Sequence, residues 1–238
     1  MIDILAFGAH PDDIELGIGG ILAKLASSGF KVGMIDLTKG EMASRGTVEE
    51  RQIEAENASG ILGVSIRENL GLKDSQIQLV WEQKIAVIQA IRKHRPRIIL
   101  ATMSEDKHPD HHNAHYLVRE ANYLSGLHKI ETEQEPYRCQ TILYYYPYYE
   151  IHTPTFVIDI SNYFEKKMQS LQAHRSQFFN PDYSGPQTFI SSEKFWDNIR
   201  NRCAYWGSKI NVLYGETIYT TEPTKLELDC LLKYYEKE

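Results

Sequence analysis

The chain has 238 residues, a formal net charge of −6 and a globular balance of apolar and charged residues, with 15 tyrosines. Its length suits one domain with a substantial core, and its acidic balance argues against a broad nucleic-acid surface, which needs a basic face to neutralise phosphates. Cys139, Cys203 and Cys230 are an odd set without CxxC spacing, so neither a disulfide framework nor a cysteine zinc site is indicated; with no leader pattern and no apolar run of membrane-spanning length, the cytoplasm is the expected location.

Residues 4–7 are a short apolar run bounded by Gly8 and Pro11, and read as a buried strand. Residues 15–25 follow with Leu16, Ile18, Ile21, Leu22 and Leu25 at helical spacing. His10, Asp12 and Asp13 therefore fall in the turn between the carboxyl end of a first strand and a first helix, where ligands bind in open α/β sheets. The plain alternative is that Asp12 or Asp13 caps that helix. A second strand over 31–37 leads into a loop over 38–46, and Thr47 with Glu50 forms a capping-box pattern opening a helix over 47–62. A third strand over 65–70, a loop over 71–75 and an amphipathic helix over 80–94 that stops before Pro96 come next. The fourth strand covers 97–102, with a loop over 104–113 and a helix over 113–124 after it.

This alternation predicts βαβ units, a mainly parallel sheet and, with right-handed crossovers, all the strand-end loops on one edge. After Leu127 the alternation weakens: 141–146 and 155–160 read as strands, 163–178 and 193–210 as helices, and 180–187 as a Pro/Gly-containing loop. With no linker or repeat in view, the expectation is one domain over 1–238 whose last third wraps the sheet.

The loop after the fourth strand holds His108, His111, His112 and His115, four of the nine histidines. Imidazole is the commonest metal ligand, and zinc accepts it beside carboxylate oxygen. Two strand-end loops, one offering histidine and aspartate and the other histidine, can meet around one ion. Three protein ligands with the fourth position left to water is the catalytic zinc arrangement, whereas a structural zinc fills all four places. A site of this kind also accepts Fe(II), Mn(II) or Co(II). The plain alternative is a solvated polar loop with one histidine packed on the helix. Both clusters fall at strand carboxyl ends, which favours the metal site.

Together, Ala9-His10-Pro11-Asp12-Asp13-Ile14-Glu15-Leu16-Gly17 and His108-Pro109-Asp110-His111 resemble the LmbE/PIG-L family of zinc-dependent N-acetylglucosaminyl deacetylases. Within that family the chain is similar to the bacterial deacetylases of bacillithiol biosynthesis, which act on N-acetylglucosaminyl malate. The narrower similarity includes Asp36-Leu37-Thr38, Gly46-Thr47 with Arg51, Ser176-Gln177-Phe178 and Tyr214-Gly215-Glu216. The resemblance implies a Rossmann-like α/β fold with a C-terminal α/β extension, a Zn2+ cofactor and a homo-oligomer, often a hexamer. It implies zinc ligands at His10, Asp13 and His111, a general base at Asp12, and an oxyanion-stabilising or amine-protonating residue at His108 with Asp110 orienting it. Arg51 matches a substrate-binding arginine. Lys107 stands where relatives often carry arginine, and Lys73-Asp74-Ser75 replaces a Pro-Asp-containing loop. These departures bear on the group attached to the sugar rather than on the metal chemistry.

Zinc lowers the pKa of bound water to about 7, and Asp12 beside it can take that water's proton. Asp110 is expected to hold one ring nitrogen of His108 and raise its pKa, an Asx turn being the alternative for Asp110. Arg51 can contact a carboxylate bidentately, or form surface ion pairs at the start of an acidic helix. Tyr145 and Tyr146 are candidates for the sugar pocket or the core. Lys39, Arg45 and Lys107 are candidate anchors or exposed charges, and His112 and His115 lie on the helix surface or support the site. The expected substrate is thus N-acetyl-α-D-glucosaminyl L-malate, a small amino-sugar conjugate, with a chitobiose-like or mycothiol-type substrate as the alternative. No nucleic-acid or membrane partner is expected. A non-catalytic zinc sensor would have no use for Asp12 and His108, neither needed to hold metal, and a dinucleotide-binding protein would need GxGxxG in the first turn.

Overall fold

In the computed structural model, which describes residues 1–223, the chain is built on a five-stranded parallel sheet. Strands β1 (Ile4–Gly8), β2 (Val32–Thr38), β3 (Ile66–Leu72), β4 (Ile98–Thr102) and β5 (Ile142–Tyr145) lie in the order β3-β2-β1-β4-β5. β1 and β2 are buried along their whole length, as central strands covered on both faces must be. Side chains alternate along β1, so that Leu5 and Phe7 enter one core with Ile91 and Val118, and Ile4 and Ala6 the other with Ile14 and Phe164. Helices α1 (Asp13–Ser27), α2 (Val48–Leu62), α3 (Trp81–His94), α4 (Pro109–Ser125), α5 (Phe164–Ala173) and α6 (Glu193–Lys209) cover the two faces. From β1 the chain winds outward one way through β2 and β3, then returns to place β4 on the opposite side. The loops after β1 and β4 therefore diverge and leave a crevice between them, the ligand position of this topology.

Two boundaries and one strand differ from the sequence pattern. α4 begins at Pro109 rather than at residue 113, because proline suits the first helical position and His108 serves as the N-cap, its ring accepting the Asp110 N–H at 3.2 Å. α5 ends at Ala173 rather than 178, where the chain turns and the Ser176 N–H is diverted to Glu54. Strand β6 (Phe156–Asp159) pairs antiparallel with β7 (Gly215–Ile218), a strand the apolar pattern does not predict. Cys139 and Cys203 are free and buried, and Cys230 lies outside the described residues.

α1 is broken at Ile18, whose φ of −139° and ψ of 20° leave the helix. Backbone groups near the break are buried and must find partners. The carbonyls of Glu15 and Leu16 accept from Lys167 Nζ at 3.1 and 2.8 Å, and Arg202 also donates to Leu16 at 2.6 Å. The N–H groups of Gly20 and Ile21 donate to the two carboxylate oxygens of Glu216 at 3.1 and 2.7 Å. Lys167 and Glu216 pair with each other at 2.6 Å, their side chains 0% and 2% exposed. Gly17 leaves no room for a Cβ, because the ring of Tyr145 lies against it. Tyr145 donates its hydroxyl proton to the Phe7 carbonyl, and Tyr144, Tyr145 and Tyr146 all belong to the core.

Removing one member of such a buried pair leaves the other charge stranded. Lys167→Ala is expected to cost about 3–5 kcal/mol of stability, read as a lower urea midpoint at unchanged slope. A midpoint equal to that of the unaltered protein would refute the bracing role.

Candidate metal centre and active site

The turn after β1 delivers His10, Asp12 and Asp13, and the N-terminal turn of α4 delivers His108 and His111 across the crevice. Asp13 stands between two imidazoles. Its Oδ2 lies 3.3 Å from His10 Nδ1 and its Oδ1 3.1 Å from His111 Nε2. Metal–ligand bonds of about 2.0–2.1 Å in a tetrahedral site put neighbouring donors roughly 3.3 Å apart, which matches this spacing. His108 adjoins the cluster, its ring centroid 4.7 Å from that of His10 and 4.8 Å from that of His111. The three histidines offer ring nitrogens within 4.8 Å of one another. By donor chemistry and spacing, these residues fit a divalent metal ion.

Each imidazole beside Asp13 turns its other nitrogen to a carboxylate, an arrangement that fixes ring orientation in metal sites. His10 Nε2 lies 3.3 Å from Asp74 and 3.4 Å from Asp110. His111 Nδ1 lies 3.1 Å from Asp106, although without hydrogen-bond alignment. Burial opposes charge on both rings, but Asp13 and the flanking carboxylates outweigh it. The pKa of His10 is accordingly raised well above its usual value and that of His111 to about 9. Asp13 is buried too, yet His111 and His10 hold its carboxyl well below the carboxylate range. Asp74 and Asp106 carry no site role in the sequence pattern, where Asp74 figures only as part of a loop that departs from the family. The available signals were that Asp74 follows β3 on the ligand-binding edge and that Asp106 sits two residues before His108.

Asp110 departs from its expected role. Its backbone N–H, not its carboxylate, meets His108 Nδ1, while the carboxylate accepts the Ser75 N–H at 2.7 Å and faces His10. The reason is that His108 is the N-cap and Asp110 lies in the first helical turn, where N–H groups lack intrahelical partners. His108 Nδ1 is thereby an acceptor, so the neutral ring carries its proton on Nε2. Burial and the neighbouring His10 and His111 push the pKa of His108 down, opposite to the expected rise.

Asp12 occupies the N-cap position of α1 but makes no capping hydrogen bond. Its Oδ2 pairs instead with Arg51 Nη2 at 3.1 Å. Arg51 is buried rather than on the surface of α2, and donates also to the carbonyls of Gly40 at 2.8 Å and Pro11 at 3.3 Å. Gly40, with φ of 67°, has no space for a Cβ beside that guanidinium. Burial raises the pKa of Asp12 against the pull of Arg51, and Asp13 adds to the rise.

Above this floor opens a cleft of about 450 Å³. Met42 and Ala43 line it, together with Gln177, Phe178, Phe189, Ile190, Tyr148 and Tyr149. Lys107 lines the cleft with its Nζ 4.0 Å above the Tyr149 ring. Arg45 reaches away to the carbonyls of Ser176 and Pro186 and stacks on Tyr183. The Tyr183 hydroxyl accepts the Gly46 N–H and donates to Glu50, so the 180–187 loop is strapped to the loop before α2. Lys39 borders a different hollow with Asp36 and Asn69. His112 and His115 contact the carbonyls of Ser104 and Thr102, and His115 is buried against Tyr144. Among the described residues, no helix is long and apolar enough to cross a membrane.

The model of the PIG-L family, described as GlcNAc-PI de-N-acetylase, matches residues 5–122 and so spans both clusters. Diacetylchitobiose deacetylase of Thermococcus kodakarensis is 30% identical over 190 residues, which is 74% of this chain and 70% of that protein. The chain belongs to the PIG-L family of deacetylases. Among solved structures, a conserved protein of Thermus thermophilus superimposes with a TM-score of 0.86 at 37% identity, covering 95% of this chain and 98% of that one. The N,N'-diacetylchitobiose deacetylase of Pyrococcus horikoshii does so with a TM-score of 0.79 at 28% identity, covering 91% and 82%. The probable N-acetyl-α-D-glucosaminyl L-malate deacetylase 2 of Bacillus anthracis is 24% identical over 188 residues, 74% of this chain and 81% of that protein. The malate-type similarity is thus present, but at lower identity than the similarity to the diacetylchitobiose enzyme.

The Asp12–Arg51 contact can be measured directly. Asp12→Asn and Arg51→Met are each expected to destabilise, and the double variant to lose less than their sum, with a coupling of about 1–3 kcal/mol in denaturant unfolding. Strict additivity would show that the two side chains do not meet.

Proposed function

We propose that the protein is a zinc-dependent amide hydrolase that removes the acetyl group from an N-acetylglucosamine unit attached to an uncharged, sugar-like group, as in chitobiose-like substrates. The observation that carries this reading is the His10–Asp13–His111 cluster at the floor of a cleft walled by aromatic and apolar side chains. A malate group brings two carboxylates and calls for free cations. Arg51 is committed to Asp12 and Arg45 to backbone carbonyls, which leaves Lys107 as the cation at the cleft without an acidic partner among the described residues. The higher identity to the diacetylchitobiose enzyme supports the same choice. Lys107 is the feature that favours the second reading, an N-acetylglucosaminyl malate conjugate.

In this proposal His10, Asp13 and His111 hold the ion, which when bound lowers the pKa of water to about 7 and polarises a carbonyl. Asp12 accepts the proton of the attacking water, a task suited to its raised pKa and to the Arg51 contact that fixes one of its oxygens. His108, kept neutral with its proton on Nε2, donates that N–H to the carbonyl oxygen as negative charge gathers there. Asp12 then returns the proton to the departing nitrogen, so one water is consumed and acetate and a free amine are formed. Asp110 acts through its neighbours, its N–H setting the His108 tautomer and its carboxylate facing His10. Arg51 is assigned here to Asp12, with any substrate contact secondary. We further infer a single domain, supported by the lack of a linker or repeat in the sequence, a cytoplasmic location, supported by the cysteine usage, and a homo-oligomer such as a hexamer, supported by the sequence resemblance.

Acetate release from diacetylchitobiose, N-acetylglucosaminyl malate and free N-acetylglucosamine at equal concentration tests the substrate. Diacetylchitobiose is expected to be turned over fastest, and a tenfold preference for the malate conjugate would overturn that choice. Chelation should abolish turnover and Zn2+ restore it. Asp12→Ala is expected to retain zinc while losing at least about 10²-fold in kcat. Loss of only a few-fold, with zinc retained, would remove Asp12 from the base role.

A further inference from the structure

Asp74 takes no part in the chemistry above, yet its contacts reach two separate segments, the turn holding His10 and the loop after β2. Its side chain is 7% exposed, and Oδ1 lies 3.3 Å from His10 Nε2. Oδ2 accepts the Met42 N–H at 3.0 Å. In return the Asp74 N–H donates to Glu41 at 2.9 Å, so the turn after β3 and the loop after β2 clasp each other in both directions. The next residue, Ser75, has φ of 63°, a left-handed conformation unusual for a side chain larger than glycine. That conformation accompanies a Ser75 N–H donated to Asp110 Oδ2, the other carboxylate at His10 Nε2. The unusual backbone and the reciprocal clasp thus both serve to hold carboxylates behind one imidazole.

We propose that Asp74 is a positioning residue that keeps the proton of His10 on Nε2 and so presents Nδ1 toward Asp13, and that it ties this ring to the cleft wall carrying Met42. The inference rests on the reading that His10, Asp13 and His111 hold the metal. An imidazole with two carboxylates facing Nε2, at 3.3 and 3.4 Å, keeps its proton there and leaves Nδ1 as a lone-pair donor. Losing such a partner typically weakens metal binding 10–100-fold. Since Asp74 also fastens the backbone of Met42, its loss should disturb the cleft wall and the metal ligand together.

The test compares the unaltered protein with Asp74→Ala and Asp74→Asn. Zn2+ affinity is measured by competition with a chromogenic chelator, the visible spectrum is recorded after Co2+ loading, and kcat and KM are determined for acetate release. Asp74→Ala is expected to bind Zn2+ about 10–100-fold more weakly, to shift the Co2+ bands and to lower kcat. Asp74→Asn keeps an acceptor oxygen and should recover most of the affinity and the spectrum. A variant with unchanged Zn2+ affinity and Co2+ spectrum but a raised KM would overturn the proposal, since it would make Asp74 a substrate contact alone. If Asp74→Ala does not fold, nitrogen-15 histidine spectra of the zinc-loaded unaltered protein decide. A proton on His10 Nε2 supports the proposal, and one on Nδ1 overturns it. Failure of the unaltered protein itself to bind Zn2+ would instead overturn the metal reading on which the proposal stands.

Discussion

The buried backbone groups released where α1 breaks at Ile18 set the terms for the rest of the molecule. They lie within a few residues of Asp12 and Asp13, so whatever satisfies them also decides where those carboxylates point. Lys167 from α5, Arg202 from α6 and Glu216 from β7 converge on the break. Glu15 adds a second anchor on the same turn, pairing with Arg67 at 2.5 Å and His174 at 3.1 Å. Burial works against its charge, yet Arg67 and His174 hold its pKa at about 2. The first turn of α1 is thus gripped by ions from several elements, and the carboxylates before it inherit a fixed direction.

The central sheet was legible because β1, β2 and β4 are short runs rich in apolar residues that alternate with helical patterns, and α2 because Thr47 and Glu50 make the expected capping box. Both histidine-bearing segments could be placed at strand carboxyl ends for the same reason. What escaped the sequence reading depends on partners far along the chain. The burial of Arg51 follows from a close approach to Gly40 and Asp12, and the contact of Asp74 with His10 from a clasp between two loops. Neither has a local pattern. The start of α4 lies four residues before the expected 113 because Pro109 stands at the first helical position, which lacks nothing by losing its N–H. That shift puts His111 on a helical turn and brings the backbone N–H of Asp110, rather than its carboxylate, to His108.

Charge is distributed unevenly within the site. Asp13, Asp74, Asp106 and Asp110 stand against two imidazoles, and Arg51 is turned instead toward Asp12. A region so built favours a cation at its centre. One turn of helix away, His108 has a backbone N–H at one nitrogen and other imidazoles nearby, which favour its neutral form. Two histidines three residues apart are thereby given opposite electrical characters by their immediate surroundings.

The braces on α1 span long stretches of chain: Lys167 bonds across 151 residues and Glu216 across 196. Contacts of such separation form late and slowly, since a long loop must close before they reward it. During synthesis, residues 10–13 and 108–111 leave the ribosome well before the segments that aim them. The fixed direction of the carboxylates at the start of α1 therefore depends on the docking of α5, α6 and β7. A nascent or truncated chain carries the reactive side chains without the framework that would let them act on a bystander amide.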